Sequence, residues 1–318
     1  MGTEGITVII TAYNTEKYIE ETLDSVANQT WFKSHDEWEI LLGIDHCEYT
    51  LSKIKEIFHK YKNLRVFYTR ENVGTYIVSN TLICKAKYAR ILRFDSDDIM
   101  KKDMVETMMT AMNTVKNCKL VQCYYEKYPG REGKCNTGKA HGVFLCKKSV
   151  LISYGGFMPW KCAADTEFLT RVGSIESKDF AAIPLVMFYY RIHEESLTQK
   201  KDTDMKSELR KQYKKYIEEM SQSHPIIEMV TADADEVLRE AQTQQNDNSR
   251  NIVSIKEETP KEKILESKQD TPNIQIIQKA EIPKKVNYVK SIISEQDKRV
   301  KKSSRVKLRL KTKSYIGV

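Results

Sequence analysis

No two of the seven cysteines stand as a CxxC pair, and their number is odd, so neither a disulfide framework nor a zinc ribbon is indicated. Buried free thiols in a reducing compartment are the simpler reading. No stretch approaches the roughly 18 consecutive apolar residues that a membrane span requires. The opening MGTEGITVII has no basic segment followed by a long apolar run, which argues against a secretory leader. It also has Ile6 where a myristoylation signal places serine or threonine. No internal repeat is present. These absences lead to the expectation of a cytoplasmic protein.

The 318 residues are 40% hydrophobic, enough for one large or two ordinary domains with a sizeable core. The net charge of +8 is unevenly spread. Residues from 246 onward hold 18 basic and 9 acidic side chains, which leaves residues 1–245 close to neutral at −1. That tail is rich in Pro, Ser, Asn, Gln and charge, a composition that predicts disorder with scattered helix. Within it, KRVKKSSRVKLRLKTK (298–313) carries nine basic residues and no acid. Such a run suits a polyanion or a membrane surface, making the protein peripheral to it; a solvated tail with no partner is the plain alternative.

In the body, apolar strand-like runs alternate with helical ones. ITVIITAY (6–13), WEILLGID (38–45), LRVFYTR (64–70) and YARILRFD (88–95) read as strands buried on both faces. Between them, 15–29, 51–61 and 75–87 have helical spacing, with Thr15 placed as an N-cap of the first. This βαβ rhythm predicts a doubly wound, mostly parallel sheet. Beyond residue 100 the pattern is mixed. Helices are expected at 103–115, 204–220 and 225–242, and strands at 119–128 and 180–193. GREGKCNTGKAHG (130–142) reads as a loop, followed by a strand, a short helix and a Gly-Gly turn over 143–157. A further helix starts at Asp165 as its N-cap.

Ligands of open α/β sheets sit beyond the carboxyl ends of the strands. Those ends here hold Thr11, Tyr13 and Asn14, then Asp45, then Asn72 and Gly74, then Asp95, Asp97 and Asp98. Three carboxylates within four positions repel one another, and a hard divalent cation relieves that repulsion. Mg²⁺ is usually held by one or two carboxylates together with substrate phosphates, so the cluster points to a phosphate-bearing substrate. A solvated loop after a strand is the other reading of a bare DxDD.

The segments VIITAYNTEKYIEETLDSVANQT, RENVG, ILRFDSDDIM, GGF, AADTEF and YYRIH stand in the order and spacing of glycosyltransferase family 2, and over residues 5–200 the chain resembles that family. The resemblance implies a GT-A fold and a metal-dependent, inverting transfer of a sugar from a nucleotide-sugar donor, UDP-linked, to a hydroxyl of a glycan, protein or lipid acceptor. With the resemblance confined to the first 200 residues, the chain divides into a GT-A domain (1–200), a helical extension (201–245) and a low-complexity basic tail (246–318), the last two read from spacing and composition. It places Thr11, Tyr13, Asn14, Asp45, Asn72, Gly74 and Asp95 at the nucleotide sugar. Asp95, Asp97 and His193 fall at the Mn²⁺ or Mg²⁺ ion, and Asp165 at the general base. No specific nucleic-acid partner is expected.

Two departures stand out. The acid that commonly precedes the base is Ala164, and the arginine of the ENxGxxxARN pattern is Ser79, so a phosphate-contacting cation is lost or supplied by Arg70, Arg90 or Lys139. They suggest one alternative, a catalytically inactive nucleotide-sugar-binding module; a nucleotidyltransferase, which also uses a nucleotide, a metal and a doubly wound sheet, is the other. Single residues also have plainer readings: Asp165 as an N-cap, His193 as a strand-end histidine, Asp45 as a turn residue, Tyr13 as packing. Trp160 is read either as a stacking platform for an acceptor sugar or as ordinary packing.

Overall fold

The computed structural model describes residues 3–130, 136–176, 179–220, 231 and 274–277. Its first half is β1 (Thr3–Ala12), α1 (Ile19–Ala27), β2 (Trp38–Ile44), α2 (Glu48–Ile57), β3 (Leu64–Thr69), α3 (Thr75–Lys85) and β4 (Tyr88–Asp95). β1 pairs in parallel with both β2 and β4, and β2 pairs in parallel with β3. The chain therefore reverses its winding direction on either side of β1, which opens a crevice at the strand ends.

The second half adds β5 (Ile99–Met100), α4 (Met104–Thr114), β6 (Leu120–Tyr128), β7 (Thr137–Lys147), α5 (Lys148–Ser153), α6 (Ala164–Glu176), β8 (Phe180–Arg191) and α7 (Glu208–Met220). β7 inserts antiparallel between β4 and β6, and β8 runs parallel to β6. A last short strand, β9 (Ile274–Ile277), pairs in parallel with β3. The nine-stranded sheet has the order β5-β8-β6-β7-β4-β1-β2-β3-β9.

Strand alternation sorts the apolar side chains onto two faces. Ile6, Val8 and Ile10 of β1 join Leu42, Leu92 and Phe94 under Leu23, Val26, Met104 and Met108. Ile9 joins Leu41, Phe67 and Ile91 on the other face, against Val78, Leu82, Phe168 and Val172. Each such side chain taken fully out of water contributes about 1.5–3 kcal/mol. Two buried polar links fix the register. Glu39 accepts from Thr7 Oγ1 at 2.9 Å and from Arg65 Nη1 at 2.8 Å. Asn80, fully buried in α3, both donates to the Phe157 carbonyl and accepts from the Phe157 N–H, each at 2.9 Å, and so ties the Gly155-Gly156 turn to the sheet.

Several local expectations need correction. Thr15 does not cap α1: Tyr18 occupies the N-cap, and the Thr15 carbonyl accepts from the Tyr18 and Ile19 N–H groups in a preceding turn. The Gly- and Lys-rich stretch is partly strand, because pairing of Glu126, Tyr125 and Tyr124 with Thr137, Gly138 and Lys139 overrides its composition. Asp165 is not an N-cap: Ala163, at φ 63°, turns the chain so that α6 begins at Ala164. The helix expected over 204–220 is narrower, starting at Glu208. β9 falls inside the tail expected to be disordered. The helix expected over 225–242 and the basic run 298–313 lie outside the described residues.

Candidate active site

The crevice beside β1 is a cavity of about 1040 Å³, bounded by the ends of β1, β2 and β4, by β6 and β7, and by the chain after β8. Thr11 sits opposite Asp95 in the β1–β4 register and opposite Gly43 in the β1–β2 register, so three strand ends meet there. Thr11, Tyr13, Asp45, Asn72, Gly74, Asp95, Asp97, Asp165 and His193 all line it. Asn14 does not: at φ 56° it turns to Cys47, taking the thiol proton on Oδ1 at 3.1 Å. Tyr13 is 45% exposed at the mouth, with Lys200 Nζ 5.6 Å from its ring centre.

The three acids after β4 have separate surroundings. Asp98 is wholly buried; its Oδ1 accepts the Arg191 N–H at 2.9 Å and its carbonyl accepts from Thr22 Oγ1 at 2.8 Å. Burial, and then the charges of Asp97 and Asp95, push its carboxyl well above the usual range. It fastens the end of β8 to the acidic turn. Asp97 faces the cavity, and its Oδ2 lies 2.7 Å from His193 Nε2. Asp95 turns one oxygen to Arg93 Nη1 at 2.9 Å. Burial raises the Asp95 carboxyl, Arg93 opposes that rise, and Asp97 and Asp165 reinforce it.

Among the described residues, no three His, Cys, Asp or Glu side chains form a ready-made metal cage. What they offer is the Asp97–His193 pair. Beside it are two buried polar atoms without a partner, His193 Nδ1 and Asp98 Oδ2. Mutually repelling acids around a two-ligand pair fit a divalent ion whose remaining positions are filled by phosphate oxygens and water.

Asp45, 3% exposed, organises the turn before α3. Its Oδ1 accepts the Val73 N–H at 2.8 Å and its Oδ2 the Gly74 N–H at 2.9 Å. Gly74, at φ 93°, adopts a backbone that L side chains resist. Burial raises the Asp45 carboxyl against the lowering pull of these bonds. Replacing Asp45 with Asn turns one acceptor into a donor facing an N–H, at a cost of about 1–3 kcal/mol. Calorimetry should show a midpoint several degrees lower; an unchanged midpoint would remove Asp45 from this structural role.

Asp165, in the first turn of α6, lines the same cavity, near enough to Asp95 for their charges to act on each other. Its Oδ1 accepts from the Tyr76 hydroxyl at 3.0 Å and from the Thr166 N–H at 2.9 Å. Tyr76 is 5% exposed, and burial first, then the nearby Asp165 charge, holds its phenol well above its usual value, so it remains a donor. Arg93 links the two acidic regions, bonding Asp95 and, at 2.5 Å, the Gly142 carbonyl, with its guanidinium 5.9 Å from the Tyr76 ring centre. Tyr76, Arg93 and Gly142 were not among the expected site residues. The signal for Arg93 was a charged residue inside an apolar buried strand; Tyr76 and Gly142 gave none.

The departures fall away from the cavity wall. Ala164 and Ser79 are both fully buried, and neither lines the cavity. Of the three candidate replacement cations, Lys139 lines it, whereas Arg90 reaches Asn113 at 3.2 Å. Trp160 is 6% exposed, stacked on Tyr213 of α7 at 4.3 Å and edge-on to Tyr216, so its face is already covered.

Residues 7–159 match the family described as glycosyl transferase family 2. The chain is 32% identical over 111 residues to the putative teichuronic acid biosynthesis glycosyltransferase TuaG of Bacillus subtilis, covering 34% of this chain and 41% of that protein. It is 30% identical over 131 residues to the glycosyltransferase GlyG of Streptococcus pneumoniae, covering 41% and 42%. The match thus spans about two fifths of the length of these curated relatives. Among solved structures, S. aureus TarS 1–349 in complex with UDP superposes with a TM-score of 0.51 at 20% identity, covering 60% of this chain and 61% of that one. The mannosyltransferase PcManGT of Pyrobaculum calidifontis, in complex with GDP-Man and Mn2+, gives 0.52 at 16% identity, covering 70% of each chain.

Proposed function

We propose, for a chain that belongs to glycosyl transferase family 2 through residues 7–159, that it transfers a sugar from a UDP-linked donor to a hydroxyl of a glycan, protein or lipid acceptor, with inversion and with the help of Mn²⁺ or Mg²⁺. One observation carries this reading. A single cavity is lined by the Asp97–His193 pair, by Asp165 and by the Asp45-anchored turn. TarS is solved with UDP and PcManGT with GDP-Man and Mn2+, ligands of the class proposed for this cavity.

The roles follow from the chemistry. Thr11, Tyr13, Asn72 and Gly74 border the nucleotide, and Asp45 keeps lone-pair capacity for a base N–H beyond the amide bonds it already accepts. Asp97 and His193 would hold the ion, with Asp95 beside them. Bound there, the ion supplies Lewis-acid stabilisation of the departing diphosphate. Asp165 takes the proton of the acceptor hydroxyl. The acceptor oxygen forms its bond to the anomeric carbon as the bond to the diphosphate breaks on the opposite face, and the bonding pair leaves with the diphosphate. One displacement inverts the centre.

The test is a panel of UDP-, GDP- and CMP-sugars incubated with the protein and Mn²⁺, with the released nucleotide identified. Slow release of UDP from one UDP-sugar, even without acceptor, is expected. Pyrophosphate as the product would mean a nucleotidyltransferase. A thermal shift with UDP and Mn²⁺ but no turnover across the panel would mean a binding module.

A further inference from the structure

We infer that Tyr76 and Gly142 determine which oxygen of Asp165 receives the acceptor proton, and that the atom is Oδ2. The inference rests on the reading of Asp165 as the base and adds two residues to it. Oδ1 is engaged by two donors, the Tyr76 hydroxyl at 3.0 Å and the Thr166 N–H at 2.9 Å. An oxygen already accepting two hydrogen bonds is the poorer proton acceptor, and the geometry of both donors aims Oδ2 elsewhere. That direction is marked by Gly142. A Cβ built on it would lie 3.1 Å from Asp165 Oδ2, 3.4 Å from Asp95 Oδ2 and 3.0 Å from Arg93 Nη1.

Two carboxylate oxygens and a guanidinium thus stand so close to Gly142 that even a methyl group there would press on them. Gly142 lies between the residue proposed to take the proton and a residue proposed to meet the donor sugar, so a side chain there would crowd the approach to Oδ2. The glycine cannot drift, because its carbonyl accepts from Arg93 Nη1 at 2.5 Å and that same nitrogen is bonded to Asp95. Tyr76 is equally fixed, with its ring against Phe157 at 5.6 Å. Tyr76 is a positioning residue: it acts on the reaction through Asp165 alone.

Three variants of the full chain test this: Tyr76→Phe, Gly142→Ala and Asp165→Asn. Each is assayed for sugar transfer, for donor hydrolysis by water, and for the donor KM, with the melting temperature as a folding control. Tyr76→Phe keeps the buried ring and should lower the transfer kcat about tenfold or more, with the donor KM nearly unchanged, as expected for a lost hydrogen bond to a charged group. Gly142→Ala should depress transfer to the acceptor more than hydrolysis, because water is small enough to reach Oδ2 past a methyl group. If Tyr76→Phe retains its kcat while Asp165→Asn loses transfer, the base stands and this inference falls. If Tyr76→Phe raises the donor KM as much as it lowers kcat, the tyrosine is a binding residue and the inference falls. If Asp165→Asn transfers normally, both readings fall. Should Gly142→Ala fail to fold, Tyr76→Phe decides alone.

Discussion

Asp97→Ala is expected to lower nucleotide release from the donor by about a thousandfold. A Lewis-acid ion at a departing diphosphate is worth several kcal/mol, and each ~1.36 kcal/mol is a factor of ten in rate. Asp97 is the one acid of the three whose carboxylate meets His193, at 2.7 Å. Asp98 is fully buried and engaged with the Arg191 backbone, and Asp95 gives an oxygen to Arg93. Neither substitutes for it without breaking those links. Chelation of the unmodified protein with EDTA should give the same loss, reversed by added Mn²⁺. Excess Mn²⁺ should not restore the variant. Release by Asp97→Ala at the rate of the unmodified protein would show that the ion is held elsewhere or is not used.

Asp165→Asn is expected to lower the transfer kcat by about 10²–10⁴-fold, the span typical of a lost general base. The substitution isolates chemistry from geometry. An asparagine oxygen still accepts from the Tyr76 hydroxyl and the Thr166 N–H, so the start of α6 keeps its bonds. Donor affinity, measured by calorimetric titration of UDP with Mn²⁺, should therefore stay within a few-fold. A variant with full kcat would assign the proton to another group. A variant with normal kcat and a weakened donor would make Asp165 part of the nucleotide site.

The GT-A fold is legible in the stretches whose burial is two-sided. β1 to β4 are apolar runs because helices cover both faces, and the interposed helices keep their spacing; only their ends move, as where Tyr18 rather than Thr15 begins α1. The first half of β7 is illegible because its strand state is not local. Thr137, Gly138 and Lys139 are strand residues only once Glu126, Tyr125 and Tyr124 lie beside them. The site divides along the same line. Asp45, Asp97, Asp165 and His193 announce themselves by residue type at strand or helix ends, and all four reach one cavity. Tyr76 lies 89 positions before the carboxylate it donates to, and nothing near it in the chain marks that pairing. Gly142 matters through what it leaves open, which composition does not express. Trp160 shows the converse: a suggestive aromatic whose face is taken by Tyr213, a residue of α7 some fifty positions later.

β9 has a meaning beyond its length. The outermost strand of an open sheet exposes a row of unpaired N–H and C=O groups, a template on which another chain can nucleate aggregation. Ile274–Ile277 lie along Val66–Thr69 and close those positions with parallel pairing from the same molecule. These four residues thus cover that stretch of β3 with strand from the same molecule, and the open edge on the side of the sheet away from β5 passes to β9 itself.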